Sequence, residues 1–284
     1  MRRRALILGC GFTGRRVAKL LLEQGWEVAA TTRKPERLQC LRPAGALVLP
    51  FDAASETGTT VSAAGAHVLI SIPTLRRRGR LDEPTPRVVS GLKGLPHHVT
   101  YLSTTGVYGD VRDVDERTPP APRTERQRLR VLAERHVRRL ACRTAVLRPA
   151  AIYGPGRGVH ARMRAGDFVL PSGRPRMVSR IHVDDLAAIV AASMALDVDG
   201  AFPVADELPA PSAEVARFCS EAMGLPPPPF VPASEISATR RADRRVDGGA
   251  IRQLTGVRLL YPTYREGIAA CLAQEAYRQN RDQA

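Results

Sequence analysis

Three glycines near the N-terminus have the spacing of a loop that binds a dinucleotide. The segment Gly9-Cys10-Gly11-Phe12-Thr13-Gly14 follows an apolar run, Ala5–Leu8, and opens an amphipathic stretch. In that setting Gly9 would make the tight turn, Gly11 would let the backbone reach the pyrophosphate, and Gly14 would let helix and strand pack closely. The anion would rest on free N–H groups at the positive end of the helix. The alternative is a plain glycine-rich turn, which the position after a first strand disfavours.

The residues after the second predicted strand bear on the choice between NAD and NADP. NAD-binding proteins usually place Asp or Glu there, about 20 residues after the loop, to hold the ribose hydroxyls. This chain has Thr31-Thr32-Arg33-Lys34 instead, and no acid before Glu36. A guanidinium pairs with a 2′-phosphate, whereas a carboxylate would repel it. We therefore predict NADP, with Thr32 and Arg33 at the cofactor; the less favoured alternative is that Arg33 is one more surface arginine. Asp52, after the third strand, would either accept from the adenine amino group or cap a turn.

The charge of the chain invites a nucleic-acid interpretation that the residue pattern does not support. The 284 residues carry a formal net charge of +15, but only three of the 43 basic residues are lysines. The arginines are spread along the whole chain, and no RNA- or DNA-binding motif accompanies them. We expect a solvated basic surface that helps to attract phosphorylated ligands.

Cysteine content and hydropathy limit the remaining classes. The five cysteines are scattered and form no CxxC pair, so the sequence predicts neither a zinc site nor a disulfide framework, and no metal. No apolar run approaches the roughly 18 residues that a membrane span needs, and the short apolar run after Arg4 is a strand rather than a signal peptide. We expect a soluble, cytoplasmic protein.

Strands and helices alternate through the first half of the chain. Six runs are predicted as buried strands: Ala5–Leu8, Glu27–Thr31, Ala46–Leu49, His67–Ile72, His98–Ser103 and Thr144–Leu147. This alternation predicts an α/β fold, a doubly wound parallel sheet of the Rossmann type with a smaller C-terminal substrate lobe. We place the dinucleotide domain at residues 1–153 and the lobe at 154–284, with segments of about 176–206 returning to the main sheet.

The predicted helices have recognisable starts. The longest, Glu125–Leu140, begins at a capping box of Thr124 and Gln127, with an apolar stripe that includes Leu132 and with its arginines facing out. A second capping box, Thr263 with Glu266, starts a C-terminal helix. The other predicted helices are Thr13–Glu23, a turn at Glu36–Leu41, a weak one near Val61, Arg87–Lys93, Val183–Leu196 and Ala213–Met223.

Further motifs bring a family into view. Leu102-Ser103-Thr104-Thr105-Gly106-Val107-Tyr108-Gly109, Leu147-Arg148-Pro149-Ala150-Ala151-Ile152-Tyr153-Gly154-Pro155-Gly156 and Arg180-Ile181-His182-Val183-Asp184-Asp185-Leu186 resemble segments of the extended short-chain dehydrogenases/reductases. They are similar to the NAD-dependent epimerase/dehydratase branch, which acts mostly on nucleotide-linked sugars. The segment Tyr261–Gly267 is similar to the C-terminal signature of an atypical sub-branch. The resemblance spans nearly the whole chain.

The resemblance implies roles for particular residues. Thr104, after Ser103 at the end of the fifth strand, matches the hydroxyl that hydrogen-bonds the reacting carbonyl or hydroxyl group. Ser71-Ile72-Pro73 matches the segment beside the cofactor's ribose and nicotinamide, and Pro149 matches a residue of the nicotinamide pocket. His182 and Asp184 match a family hallmark, for which we favour a structural role at the start of the helix Val183–Leu196.

One departure from the family concerns the acid–base pair. Family members carry a Tyr and a Lys at i and i+4 on the long helix, where the ammonium lowers the pKa of the phenol. The register from Ala133-Glu134 places Arg126 and Arg130 at these positions, and none of the six tyrosines has a Lys four residues later. Arginine stays protonated near neutral pH and cannot shuttle a proton. Tyr108 and Tyr153 are the remaining candidates, or ordered water.

Two function classes follow from these residues. The first is an NAD(P)-binding oxidoreductase or epimerase-like enzyme that acts on a sugar nucleotide or a related carbonyl or hydroxyl compound. The second is a non-catalytic NADP-binding sensor or scaffold. The missing Tyr–Lys pair favours the second class, and the retained Thr104 favours the first. We expect a small-molecule substrate, no membrane or nucleic-acid partner, and a monomer or homodimer.

Overall fold

A seven-stranded parallel sheet lies at the centre of the protein in the computed structural model, which describes residues 2–55, 61–236 and 243–283. Its strands are β1 Arg4–Leu8, β2 Glu27–Thr32, β3 Leu47–Pro50, β4 His67–Ile70, β5 His98–Leu102, β6 Arg143–Pro149 and β7 Gly200–Val204. Their order across the sheet is β7-β6-β5-β4-β1-β2-β3, with every pair parallel. The order reverses between β1 and β4, as in a doubly wound Rossmann sheet, and confirms the predicted fold class.

The helices of the described residues cover both faces of this sheet and build the smaller lobe. They are α1 Phe12–Glu23, α2 Thr85–Ser90, α3 Glu125–Arg138, α4 Val159–Arg164, α5 Val183–Ala195, α6 Ser212–Met223, α7 Gly249–Thr255 and α8 Tyr264–Gln283. Helices α1 and α5 pack together on one face, whereas α2 and α3 pack together on the other. None of the helices is long and apolar enough to cross a membrane.

Each central strand divides its side chains between two cores. Ile7, Leu69 and Leu147 belong to the core under α1 and α5, and their neighbours Leu8, Ile70 and Val146 belong to the core under α3. Successive residues of a strand point to opposite faces, so a strand covered on both sides needs apolar residues at every position. This requirement explains the unbroken apolar runs that identify the strands in the sequence.

The six predicted strands are confirmed, and β7 is the one that the strand signals missed. β7 contains a glycine at its start and a proline at Pro203, and both weaken a strand signal. It pairs with β6 alone at the edge of the sheet, where proline is tolerated. The segment of about 176–206 does supply a strand to the sheet, while the domain boundary at residue 153 stays a prediction.

The capping box at Thr124 is confirmed in full and that at Thr263 in one of its two bonds, and other details of the helix predictions are wrong. Thr124 and Gln127 satisfy each other's backbone donors, and Glu266 accepts from the backbone N–H of Thr263. Val61 lies in a short strand, Val61–Ser62, that pairs with Leu92–Lys93, so no helix forms there. On α3, Leu132 is 43% exposed and Arg130 is only 6% exposed, the reverse of the predicted arrangement.

The second half of the chain builds a smaller core beside the end of β6. Helices α4, α6 and α8 enclose Tyr153, Phe168, Val215 and Ile268. The segments Ala151–Tyr153 and Arg180–His182 pair in parallel and lead from the sheet into this core. The lobe thus adjoins the carboxyl ends of the sheet strands.

Candidate cofactor and active site

The first glycine of the phosphate loop is fixed by its contacts. Gly9 has a φ of +83°, and a Cβ there would lie 2.9 Å from the carbonyl oxygen of Ser71. Its N–H donates to Thr31 Oγ1 at 3.1 Å, and the N–H of Cys10 donates to the Thr31 carbonyl oxygen at 2.8 Å. A left-handed backbone this close to another strand favours glycine. The loop is therefore anchored to the ends of β2 and β4.

The other two glycines differ in what surrounds them. A Cβ on Gly14 would lie 3.2 Å from the Gly9 carbonyl oxygen and 3.3 Å from Ile7 Cγ2, so α1 packs closely on β1. A Cβ on Gly11 would meet only the Gly9 carbonyl oxygen, at 4.0 Å. Gly11 precedes α1, whose first turn carries no acidic residue. The space beside Gly11 and the positive helix end can hold a pyrophosphate.

The end of β2 offers a free guanidinium beside the loop. Arg33 and Lys34 are exposed, and Arg33 makes no hydrogen bond or ion pair within the described part of the chain. Thr32 Oγ1 accepts from the Lys34 N–H at 3.2 Å, which shapes the turn that follows β2. For Asp52 the geometry favours a turn cap, because its Oδ1 accepts from the Ala54 N–H at 2.9 Å.

Arg130 joins the carboxyl ends of β4 and β5. Its guanidinium donates to the carbonyl oxygen of Ile72 at 3.1 Å and to that of Leu102. The side chain is buried and lies 3.3 Å from a buried carboxylate oxygen of Glu83. Ser71, Ile72 and the exposed Pro73 therefore form a segment whose backbone is held by this arginine.

The Glu83 carboxylate, which pairs with Arg130, also accepts hydrogen bonds from two threonine hydroxyls. Its Oε2 accepts from Thr74 Oγ1 at 2.7 Å, and its Oε1 accepts from Thr85 Oγ1 at 2.5 Å. Buried charges are tolerated when they are paired and hydrogen-bonded, as here. Position 130, where the family resemblance implies a lysine, thus carries a cation that organises two strand ends.

A second buried ion pair lies one helical turn further along α3. Glu134 accepts from Arg148 Nε at 3.2 Å and Nη2 at 2.8 Å, and it also accepts from Ser103 Oγ at 2.5 Å. Arg148 Nη1 donates to the Tyr108 hydroxyl at 3.0 Å. The network fixes the end of β5 and the end of β6, where Pro149 is buried. Sequence reasoning missed both ion pairs, although a charged residue inside the apolar strand β6 was an available signal.

Thr104 stands at the exit of β5, immediately after this network. Its Oγ1 accepts from the Gly106 N–H at 3.0 Å and caps the short helix Thr105–Tyr108. The side chain is half-buried, and its hydroxyl proton is left to donate. Thr104 can therefore donate a hydrogen bond to a substrate oxygen.

The two tyrosines considered as alternative proton donors do not suit that role. Tyr108 is fully buried, and burial raises the pKa of its phenol. Tyr153 is 4% exposed, burial raises its pKa as well, and its hydroxyl donates to the Thr263 carbonyl oxygen at 3.4 Å. Arg126 lies on the exposed surface of α3. Burial disfavours Tyr108 and Tyr153 as proton donors, and this role stays a prediction.

The His182 motif has the structural role that the sequence analysis favours. His182 is the N-cap of α5, and its Nδ1 accepts from the Asp184 N–H at 3.2 Å. Asp184 pairs with Arg16 on α1 at 2.5 Å, and burial lowers the pKa of His182 to about 4. Asp185 accepts from the N–H groups of residues 260 and 261 at 2.7 and 3.1 Å. These contacts tie α5 to α1 and to the start of α8.

A largely apolar cavity of about 340 Å³ lies in the smaller lobe beside the phosphate loop. Phe168 and Ile268 are among its apolar lining residues, and Arg157 also lines it. Arg157 stacks over the ring of Phe12 at 5.2 Å and has no ion pair within the described ranges. Arg157 is exposed to solvent, and the partial desolvation of its guanidinium lowers its pKa. This end of the cavity suits an anionic group, because the guanidinium there is uncompensated.

Comparison with known proteins identifies the family. The profile of the NAD(P)H-binding family matches residues 9–195. This chain belongs to that family. The family match gives the protein an NAD(P)-binding domain, and solved structures with the same fold include members of the epimerase/dehydratase type.

Three solved structures and one curated relative illustrate the similarity. A conserved protein of unknown function from Silicibacter pomeroyi is 34% identical with a TM-score of 0.75, covering 96% of this chain and 99% of its own. An NAD-dependent epimerase/dehydratase from Methylobacillus flagellatus is 25% identical with a TM-score of 0.73 and the same two coverages. MoeE5, solved with UDP-glucose and NAD, is 18% identical with a TM-score of 0.78 over 99% of this chain and 100% of its own, which shows the fold alone. A 3-diazoavenalumate denitrifying reductase from Streptomyces is 35% identical over 95 residues, 31% of either chain.

Proposed function

We propose that this protein is an NADP-dependent oxidoreductase of the epimerase/dehydratase type that acts on a carbonyl or hydroxyl group of a nucleotide sugar or a related compound. The observation that carries the proposal is the Thr104 hydroxyl at the exit of β5, at the same sheet edge as the Gly9–Gly14 loop. NADP supplies a hydride acceptor or donor at its nicotinamide when bound. The chain supplies binding and orientation.

The cofactor side of the proposal rests on the free cation after β2. Arg33 is exposed, and its guanidinium is not engaged by another described side chain. An arginine at this position pairs with a 2′-phosphate in two-pronged fashion, whereas an acid there selects the ribose hydroxyls of NAD. Phe12, Thr13 and the loop glycines then hold the pyrophosphate.

The substrate side rests on Thr104 and on the cavity of the smaller lobe. The Thr104 hydroxyl donates to the reacting oxygen and so fixes the orientation of the substrate. Arg157, at the border of the cavity, binds an anionic group such as a diphosphate. MoeE5, solved with UDP-glucose, is consistent with a nucleotide-sugar substrate for this fold.

The residues at the two acid–base positions of α3 differ from the usual Tyr and Lys. Arg130 occupies the position where the resemblance implies a lysine, but its N–H groups donate to two backbone carbonyl oxygens and to the Glu83 carboxylate. A guanidinium holds its proton near neutral pH, so neither Arg126 nor Arg130 shuttles one. The proton then comes from water, and a missing positioned acid–base group costs about 10²–10⁴-fold in rate.

A non-catalytic NADP-binding protein is the second candidate, and the bonding of Arg130 favours it. The side chain that holds the two strand ends beside the cofactor loop is a guanidinium, which keeps its proton near neutral pH. The deciding experiment follows NADPH absorbance with purified protein across sugar nucleotides, ketones and aldehydes. Turnover that falls at least tenfold in Thr104→Ala but not in the control Thr255→Ala supports the enzyme. NADPH binding with no turnover on any substrate supports the binding protein.

A further inference from the structure

Three histidines and one aspartate meet at the end of the sheet opposite to the phosphate loop. His67 and His98 are the first residues of β4 and β5 and are paired in register. His97 immediately precedes β5, and Asp197 lies in the loop between α5 and β7. Because the strands are parallel and Gly9 follows the end of β1, this cluster lies at the opposite strand ends from the cofactor loop.

One carboxylate holds two of the imidazoles. His67 Nε2 lies 3.1 Å from Asp197 Oδ1, and His97 Nε2 lies 3.0 Å from Asp197 Oδ2. The rings of His67 and His97 are 4.6 Å apart between centroids. One ligand atom from each of the three residues lies within 4.8 Å of the other two.

These separations suit a small transition-metal ion. Zinc binds histidine nitrogen and carboxylate oxygen at about 2.0–2.2 Å in a tetrahedron, which places ligand atoms about 3.3 Å from each other. The two nitrogen–oxygen distances of 3.1 and 3.0 Å are already close to that spacing. Two imidazoles and one carboxylate are a ligand set that zinc commonly takes.

Hydrogen bonding within the cluster leaves ring nitrogens unsatisfied. Nδ1 of His67 and Nδ1 of His98 are buried and have no hydrogen-bond partner in the described residues.

The cluster is open on one side. The side chain of His97 is 54% exposed and that of Asp197 is 29% exposed, whereas that of His67 is 7% exposed. An ion can enter from solvent, and water can complete the coordination. Asp197 has a φ of +50°, an uncommon backbone for a residue other than glycine, and this conformation presents the carboxylate to both histidines.

We propose that His67, His97 and Asp197 form a binding site for a divalent transition metal of the zinc type, with water as the fourth ligand. The ion joins the starts of β4 and β5 to the α5–β7 loop and so serves the fold. The scattered cysteines predict no metal, and no cysteine belongs to this cluster. Asp197 is 130 and 100 residues away from its two partners, so no local spacing reveals the site.

The test is a calorimetric titration of metal-stripped, tag-free protein with ZnCl₂. We expect one Zn²⁺ per chain and a dissociation constant in the micromolar range or tighter. His97→Ala and Asp197→Asn should each weaken binding at least tenfold, and asparagine tolerates the left-handed backbone at position 197. His136→Ala, which removes a histidine of α3 outside the cluster, should bind like the wild type.

Two further readouts complete the test. Zn²⁺ should raise the melting temperature of the wild type and of His136→Ala, but not of His97→Ala, and the dissociation constant for NADPH should stay unchanged. Co²⁺ should give the visible absorption of a nitrogen–oxygen site. No Zn²⁺ binding below 100 µM, equal binding in both cluster variants, or a thiolate charge-transfer band that assigns the metal to a cysteine would each overturn the proposal.

Discussion

Arg130 and Glu83 form a buried ion pair, at 3.3 Å, beneath the carboxyl ends of β4 and β5. The pair stands where the family resemblance implies a catalytic lysine, and the guanidinium also binds the carbonyl oxygens of Ile72 and Leu102. A guanidinium that donates to two backbone carbonyl oxygens and to one carboxylate holds the backbone of both strand ends in place. The relationship makes position 130 a positioning residue for the cofactor-binding edge, and it has consequences for stability as well as for chemistry.

Removing one partner of this pair should destabilise the protein strongly. Glu83→Gln leaves the buried Arg130 without a countercharge, and breaking a buried pair in this way costs about 3–5 kcal/mol. We expect a fall of that size in the free energy of unfolding, measured by urea denaturation. The control is Glu221→Gln, which breaks an exposed pair with Arg217 and should cost under about 0.5 kcal/mol. A loss below about 1 kcal/mol in Glu83→Gln would contradict the role given to the pair.

Gly11→Val should abolish cofactor binding and leave the fold intact. A valine side chain would fill the space beside the loop, where the nearest neighbour of a Cβ is the Gly9 carbonyl oxygen at 4.0 Å. The melting temperature should therefore stay within a few degrees of the wild type while NADPH binding is lost. Gly14→Val is the contrasting variant, because its Cβ would press on Ile7 and the loop backbone, and it should melt earlier. A Gly11→Val protein that melts normally and still binds NADPH would show that the pyrophosphate lies elsewhere.

Arg33 should determine the preference for NADP(H). Hydrogen bonds to a charged group contribute about 1.5–3 kcal/mol, so we expect NADPH to bind roughly tenfold or more tightly than NADH. Arg33→Asp should reverse the preference, as measured by calorimetry with both cofactors. Arg42→Asp changes the same charge on a nearby exposed residue and should leave the ratio within about threefold of the wild type. Equal dissociation constants for the two cofactors in the wild type are the result that contradicts this expectation.

The buried carboxyl of Asp206 should make stability depend on pH. Burial raises its pKa to about 7, although the charge of the buried Arg180 and the backbone N–H groups of Leu208 and Arg180 oppose the shift. The folded protein thus holds this proton more tightly than the unfolded chain, so stability falls as the pH rises through the folded pKa. Between pH 5 and pH 8 we expect a loss of about 2–3 kcal/mol from this group. Asp206→Asn should remove that loss in urea denaturation. Asp113→Asn should retain it, because Asp113 is an exposed carboxylate on the wall of a second cavity, which Asp206 also lines.

The sequence predicts the glycine loop and the central strands because these depend on local spacing. Gly9, Gly11 and Gly14 act within one turn, and a strand buried on both faces needs an unbroken apolar run. The ion pairs of α3 were not predictable in that way, since Arg130 and Glu83 are 47 residues apart, and an arginine on a charged helix looks like a surface residue. β7 was missed because Gly200 and Pro203 weaken the strand signal of this edge strand in the sequence. Tertiary pairing decides these features, and a single sequence carries no direct signal of it.

The last prediction concerns turnover. Thr104 can orient a substrate oxygen, but an ordinary hydroxyl is a poor proton acceptor, and Tyr108 and Tyr153 are buried with raised pKa values. We therefore expect NADPH oxidation on nucleotide sugars to be very slow even where the cofactor binds well, and complete absence of turnover would support the non-catalytic candidate instead. The double variant Arg126→Tyr, Arg130→Lys restores the usual Tyr–Lys pair in the sequence. A lysine at position 130, however, lacks the forked guanidinium that donates to the carbonyl oxygens of both Ile72 and Leu102.

The double variant therefore needs its single components as controls. Arg130→Lys alone should lower stability and weaken NADPH binding, because an ammonium cannot reproduce the planar contacts of a guanidinium. Turnover that appears only in the double variant, after correction for bound cofactor, would indicate a scaffold that has lost its acid–base pair. Robust wild-type turnover that survives Thr104→Ala would instead place the chemistry on other residues, since a positioned group that contributes about 10²–10⁴-fold cannot be removed without a visible loss of rate.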